Sequence, residues 1–551
     1  MQSTFRLPLF LVASAAIILA SCGKKTNEEG RYIPKNAAVV VLMNGESIFS
    51  KLSWSDIKEN ELFKQFYLDS TLDAYVKTAL DNPDNTGVDI KKDFLFYIQK
   101  DSLGGYVAVE GTVKDAAKFK QFYAQALKGA TEVEKDGIHA ISGGATTASW
   151  KNDKFILVID APQLNDINKF SNSTDRPMVS GSLVKRDGAA LSKSLFDLKE
   201  NASMGKDEKF TELVKQKGDI HFWLNMGEFS SAFNSPGMKA LSMVNLNKIY
   251  DGSITTATAD FDNGKINLDM KSYSGKELSA IWKKYEGNKA NTDMMKRFSG
   301  KDVAMMFALN FKPEGIRELV KELGFEGLIN MGAAFLGFNL DDFVKANKGD
   351  LLLAVSDFIT DSSGRSKPGN FLFAATVGDK ASFGKLIDAG NKMGKTSDIF
   401  YNTNDKYFAI GNNKESINKF TGAGANSNFD FIDKISGSPL AGYINFQYLM
   451  KSMEKEGTSD SSNNVIYQAS LKLWDNLIWK GGEFNKGGSI QHIEVNFLDK
   501  STNSLKLLNS YIGLIGKIEQ QKKLKRESEM TAFPEPVEEA PVTEESMAPA
   551  K

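Results

Sequence analysis

The chain reads as an α+β protein of two tandem homologous copies, each an antiparallel or mixed sheet with helices packed on it, ahead of a disordered acidic C-terminal tail. Three observations predict this. The first is a pattern that returns along the chain: an apolar run ending in asparagine, then residues at helical spacing. It occurs at residues 39–44, 221–225, 304–310 and 441–445. The second is composition, since 41% hydrophobic residues over 551 positions can fill a large core in more than one domain. The third is a change of material after Arg526, where Glu535, Glu538, Glu539, Glu544 and Glu545 interleave with Pro534, Pro536, Pro541 and Pro549. Such a segment cannot bury enough apolar surface to order itself.

Residues 1–21 read as a lipoprotein signal peptide. Arg6 supplies a positive start, residues 7–20 are apolar or small, and Leu19-Ala20-Ser21-Cys22 closes the run. The run is shorter than the ~20 apolar residues of a membrane-spanning helix and fits a secretory core instead. Cleavage is expected between Ser21 and Cys22, with the Cys22 thiol taking a diacylglycerol and the new amino end a further acyl chain such as palmitate. At ~0.8 kcal/mol per buried methylene, three chains make the attachment effectively permanent. Cys22 is the only cysteine, which suits export without disulfides and rules out thiolate metal sites and thiol nucleophiles. Residues 22–35 form the lipidated tether. No aspartate follows Cys22 directly, so by analogy with known sorting rules the destination is the outer membrane, on its periplasmic or cell-surface face.

The first copy spans residues 36–290 and the second 301–515. Landmarks pair in order. Val107-Ala108-Val109 leads to Lys114-Asp115-Ala116-Ala117-Lys118-Phe119, as Phe373-Ala374-Ala375 leads to Gly378-Asp379-Lys380-Ala381-Ser382-Phe383. Trp150 to Phe155 parallels Tyr401 to Tyr407, and Asn168-Lys169-Phe170 matches Asn418-Lys419-Phe420. A hairpin turn at Asp262-Asn263-Gly264 matches residues 485–487. The spacing is 250 residues from Asn168 to Asn418 but 220 from Asn225 to Asn445, so the first copy holds 30 extra residues, a loop within 171–218 that turns amphipathic from Leu191 through Leu213 and is expected on the surface. The asparagines Asn44, Asn225, Asn310 and Asn445 read as helix caps. Stripes such as Phe119, Phe122 and Tyr123 read as core-facing. The copies meet at a polar, aperiodic stretch near residues 285–292. A basic helix end, residues 516–526, precedes the tail at 527–551.

Chemistry is scarce. The three histidines, His139, His221 and His492, have no ligand partners at metal spacing, although His492 and Glu494 would share a strand face. Ser-x-x-Lys occurs at Ser55/Lys58, Ser182/Lys185 and Ser382/Lys385 without companion motifs. Gly378 to Gly384-Lys385 has the wrong spacing for a phosphate loop. No catalytic, cofactor or metal residues can be nominated. A formal charge of −1 gives no field for nucleic acid.

Residues Tyr32-Ile33-Pro34-Lys35-Asn36-Ala37-Ala38-Val39-Val40-Val41 through Ser50-Lys51-Leu52-Ser53-Trp54, behind a lipobox, resemble an uncharacterised Bacteroidota lipoprotein family, domain of unknown function 4836. The resemblance covers most of residues 32–515. It implies an envelope lipoprotein and carries no catalytic residues. The expectation is therefore a non-enzymatic binding or scaffold protein, held to the bilayer through acylated Cys22, with an envelope protein or glycan as partner. Two alternatives stand beside it: a hydrolase acting on glycan or peptide, and a carrier of lipid or another hydrophobic ligand in a cleft between the copies.

Overall fold

Apolar residues stand at successive positions in Val39-Val40-Val41-Leu42 and Phe94-Leu95-Phe96-Tyr97-Ile98. Successive side chains of a strand point to opposite faces, so strands of this kind need cover on both. The computed structural model describes residues 28–68, 72–127, 129–162, 186–230, 245, 247–360, 366–392, 398–452 and 461–531. Among them, eighteen strands join into one α+β sheet. The strands preceding residue 290 are β1 (Val39–Met43), β2 (Phe94–Gln99), β3 (Tyr106–Thr112), β4 (Thr131–Lys135), β5 (Ile138–Gly143), β6 (Thr146–Lys151), β7 (Lys154–Asp160), β8 (Ile220–Asn225), β9 (Ile254–Asp262) and β10 (Lys265–Tyr273). Those following are β11 (Val303–Asn310), β12 (Asn347–Thr360), β13 (Ser366–Val377), β14 (Phe400–Thr403), β15 (Tyr407–Gly411), β16 (Leu440–Asn445), β17 (Trp474–Asn485) and β18 (Gly488–Phe497).

Every one of these pairings is antiparallel. In the middle, β10 pairs with β18 from Lys265↔Asn496 to Tyr273↔Gly488. Outward from β10 come β9, β8, β1, β2, β3, β7 and β6. Outward from β18 come β17, β16, β11, β12, β13, β15 and β14. Only the first side continues, through β5 to β4. The turn at Asn263-Gly264 joins β9 to β10 as its sequence predicts. Gly264 is at φ +68° and a Cβ there would lie 2.5 Å from Lys500 Cα.

Helices cover both faces of the sheet. On one face Tyr97, Ala108 and Trp223 pack beneath Phe196 and Phe210, and Met306, Leu352 and Ala374 pack beneath Phe298 and Phe420. On the other, Phe119 and Trp150 build a core over β6 and β7. The expected surface loop at 171–218 is corrected. Residues 171–185 lie outside the described residues, but 186–218 supply the helices Gly188–Phe196 and Glu208–Val214, and Leu195, Phe196, Phe210 and Leu213 are buried. That sheet face would otherwise be bare. Between β15 and β16, Ile417, Phe420, Ile432 and Ile435 do the same service. The tripeptide Asn168-Lys169-Phe170 lies outside the described residues.

The junction near residue 287 is pinned rather than free. Asn288 N–H donates to Asn310 Oδ1 (2.6 Å), Ala290 N–H to Ser438 O (2.8 Å) and Phe484 N–H to Glu286 Oε1 (2.8 Å). Asn310 is thus a staple, also donating to Asp350 Oδ1, while Asn44, Asn225 and Asn445 accept from the amides of Ser47, Glu228 and Tyr448 as caps do. The last helix, Ser504–Thr531, runs past the expected boundary at 527. It crosses to the other end of the chain, where Asn60 Nδ2 donates to Asn509 Oδ1 (2.9 Å) and Gln65 Nε2 to Gly516 O (3.0 Å). Residues 532–551 lie outside the described residues.

Candidate functional site

Ser21 and Cys22, the predicted cleavage and lipidation residues, lie outside the described residues, as do Ser182 and Lys185. The remaining sequence candidates are engaged locally. His139 stacks on Trp150 with ring centroids 4.9 Å apart. His221 Nε2 lies 2.9 Å from Gln216 O, and His492 Nδ1 lies 2.8 Å from Asp269 Oδ1. Glu494 pairs with Lys265, not with His492. Lys58 donates to Asp81 O and Lys385 to Asp342 Oδ1. Among the described residues no group of three or more His, Cys, Asp or Glu side chains could hold a metal, and no helix is long and apolar enough to cross a membrane.

A cavity of about 750 Å³ opens instead on one face of β12, β13 and β15. Strand register builds its floor. Leu351, Ala375 and Phe408 are aligned across the three strands, and Phe373 pairs with Ile410 one step along. The roof is the helix Lys380–Lys392, whose Phe383, Leu386, Ile387 and Gly390 recur at helical spacing and so share one side. Phe383 rests on Phe408 with centroids 5.2 Å apart. Further along, Gly390 offers no side chain, and a Cβ there would meet nothing within 4 Å. Phe343, Ile399, Phe400 and Tyr401 add apolar wall.

The corresponding place beside β3 and β7 is solid. The helix Ala116–Ala126 brings Phe119, which lies 5.4 Å from Trp150, 5.3 Å from Phe155 and 4.6 Å from Tyr123. β5 closes the packing with Ile141. Among the described residues no strand corresponding to β4 or β5 stands between the helix Lys380–Lys392 and β14, and Tyr401 is 46% exposed where Trp150 is 5%. The cavity therefore opens where, among the described residues, no hairpin stands and where Leu386 and Ile387 take the places of Phe122 and Tyr123.

Polar groups at the cavity are few and mostly occupied. Asn347 Nδ2 donates to Phe343 O (2.8 Å), Asn391 Nδ2 to Tyr401 Oη (3.4 Å), and Asn418 Oδ1 accepts from Asn402 Nδ2 (3.0 Å). Among the described residues Lys414 is the one charged residue lining it, no ion pair of Lys414 occurs, and no carboxylate lines it. Such a site can hold an apolar molecule, but it presents no nucleophile with a base beside it and no pair of acids. Nearby, the helix Glu326–Leu336 leaves Met331 63% and Phe335 88% exposed, and Lys392 Nζ donates to its Leu336 O (3.2 Å).

The expected cleft between the copies is a different place. At the β10–β18 seam a pocket of about 370 Å³ is lined by groups already paired, Lys271 with Glu212 (3.1 Å) and His492 with Asp269 (2.8 Å). Sequence reasoning missed the apolar cavity. The signal was available in the two helices compared: Phe119, Phe122, Tyr123 and Ala126 against the smaller Phe383, Leu386, Ile387 and Gly390 set.

Comparison with solved structures finds two crystal forms of TP0453. Form IV is 10% identical over 46% of this chain and 83% of that one with a TM-score of 0.24. Form I is 12% identical over 44% and 78% with the same score. At that score the likeness carries no argument. No curated protein matches. A family model described as a domain of unknown function, DUF4836, matches residues 30–427, ending short of the 515 expected. That match covers most of the chain, which therefore belongs to the DUF4836 family.

Proposed function

We propose that this chain is a non-enzymatic envelope lipoprotein of the Bacteroidota kind, cleaved after Ser21, anchored through acylated Cys22 to the outer membrane, and built to bind an apolar ligand. The observation that carries the binding reading is the cavity of about 750 Å³ beneath the helix Lys380–Lys392, within the 300–1,000 Å³ range of small-molecule pockets. The hydrolase alternative would need convergent acids or a nucleophile beside a base, and the residues lining this cavity supply neither. Anchoring rests on the run Leu19-Ala20-Ser21-Cys22. The proposed duplication is supported by the strand order, which reads alike outward from β10 and from β18.

Two measurements test this. The full chain should enhance the fluorescence of N-phenyl-1-naphthylamine. Gly390→Phe, which places a ring in the open space, should abolish the enhancement, while Gly384→Phe on the same helix should not, since Gly384 faces open space outside the cavity lining. Equal enhancement by all three proteins would discard the cavity as the site. Separately, Cys22→Ala should block acyl labelling and leave the precursor uncleaved; labelling that persists would remove the anchor.

A further inference from the structure

We infer that the cavity takes a single-chain amphiphile with an anionic head, a long-chain carboxylate, whose head is held at the rim by Lys414 and Asn418. The inference rests on the cavity being an apolar-ligand site and adds the chemistry of what enters it. Volume limits the tail. At roughly 30 Å³ per water-sized group, the space of about 750 Å³ admits about 25 methylene-sized groups. That suits one long chain better than the two tails of a phospholipid. The floor and roof, through Phe373, Ile410, Leu386 and Ile387, offer nothing but apolar contact.

Charge selects the head. Among the described residues Lys414 is the only ionisable one at the cavity apart from Tyr401; it is exposed and has no counter-ion there. Its place in the helix Lys414–Thr421 does not explain it, because a cation in the first turn sits at the disfavoured end of the helix dipole. Asn418 lies one turn on, so the ammonium and the side-chain amide share one side of the helix. The Asn418 oxygen already accepts from Asn402, which leaves its amide N–H groups available as donors. An ammonium and an amide side by side match a carboxylate that accepts from both, whereas an alcohol head would forfeit the charge-assisted bond.

The test is displacement of N-phenyl-1-naphthylamine from the full chain at neutral pH by hexadecanoate and by hexadecanol, which share a tail and differ in head charge. Hexadecanoate should displace the probe at about tenfold lower concentration than hexadecanol. Lys414→Gln should erase that difference while leaving hexadecanol unchanged, and Gly390→Phe, with Gly390→Leu as a smaller plug, should remove displacement by both. Equal potency of the two in the unaltered chain, or a carboxylate preference that survives Lys414→Gln, overturns the anionic-head assignment and leaves the cavity reading standing. Failure of the probe to bind the unaltered chain overturns both.

Discussion

Glu110 of β3 is an acid inside the apolar core of the first half, 5% exposed, and its Oε1 has no hydrogen-bond partner. The Tyr97 hydroxyl, on the neighbouring strand, is buried beside the same carboxyl. Burial pushes the Glu110 carboxyl up to about 8, with Lys154 and then Tyr97 pulling it back down. Unfolded, the same carboxyl titrates near 4.5. Between these values the unfolded chain has lost the proton that the folded chain keeps, so the folded state binds more protons and stability falls as pH rises. Below 4.5 the effect is flat, and above about 8 the loss is complete. At about 1.4 kcal/mol per pH unit, the deficit accumulated by pH 7 is about 3 kcal/mol. Glu110→Gln keeps the shape and the polarity but cannot ionise. Urea unfolding of the full chain at pH 4, 5, 6, 7 and 8 should therefore show variant and parent close together at pH 4. By pH 7 the variant should lead by about 3 kcal/mol. A gap that stays constant across that range, or that narrows as pH rises, would show that Glu110 does not carry its proton into the neutral range.

Other consequences are more local. Asp219, 1% exposed, accepts from Lys51 Nζ (2.6 Å), Ser47 Oγ and Phe261 N–H (2.6 Å). Asp219→Ala strands the Phe261 amide, while Lys51 keeps Asp260 at 2.9 Å, and should cost about 2 kcal/mol in urea unfolding; a loss under 1 kcal/mol would mean that water replaces the carboxylate. Gly390→Ala enters open space on a helix and should stabilise by about 1 kcal/mol. A drop in melting temperature would show that the space is not open. Trypsin should cut within residues 522–526 well before Lys289, because the junction is hydrogen-bonded into the sheet. Early cleavage at Lys289 would show the two halves to be separable.

How far the sequence reveals this molecule depends on whether a feature is made by residues present or by residues missing. The apolar runs at β1, β8, β11 and β16 and their terminal asparagines are local, so they could be read directly, and three of the four asparagines cap as their type predicts. Asn310 departs because its neighbour in space, Asp350, lies forty residues on and offers a stronger partner than the helix end. Burial on both sheet faces was implicit in Val39-Val40-Val41-Leu42, since a strand with one wet face alternates. The cavity was hidden because its cause is smaller side chains at Leu386 and Ile387 and, among the described residues, an absent hairpin.

That absence bears on why one half could become a binding site. Under the proposed duplication, an unspecialised copy would need its own helix and hairpin to seal the sheet face, as Phe119, Trp150 and Ile141 do around β6 and β7. The second half is relieved of some of that requirement. Its sheet is bonded along nine residue pairs to β10, and the helix Ser504–Thr531 ties its end to Asn60 and Gln65 of the first half. Its opposite face keeps a full core around Met306, Leu352, Ala374 and Phe420. Strain and lost contacts over β13 and β15 can then be borne without loosening the strands that position the cavity, because stability within one sheet need not be uniform. A site built on strands held this way starts preorganised, and the ligand meets walls that do not have to be ordered on binding. Under the proposed binding, the packed first half steadies the strands that carry the site, through the β10–β18 pairing and the helix that returns to Asn60 and Gln65.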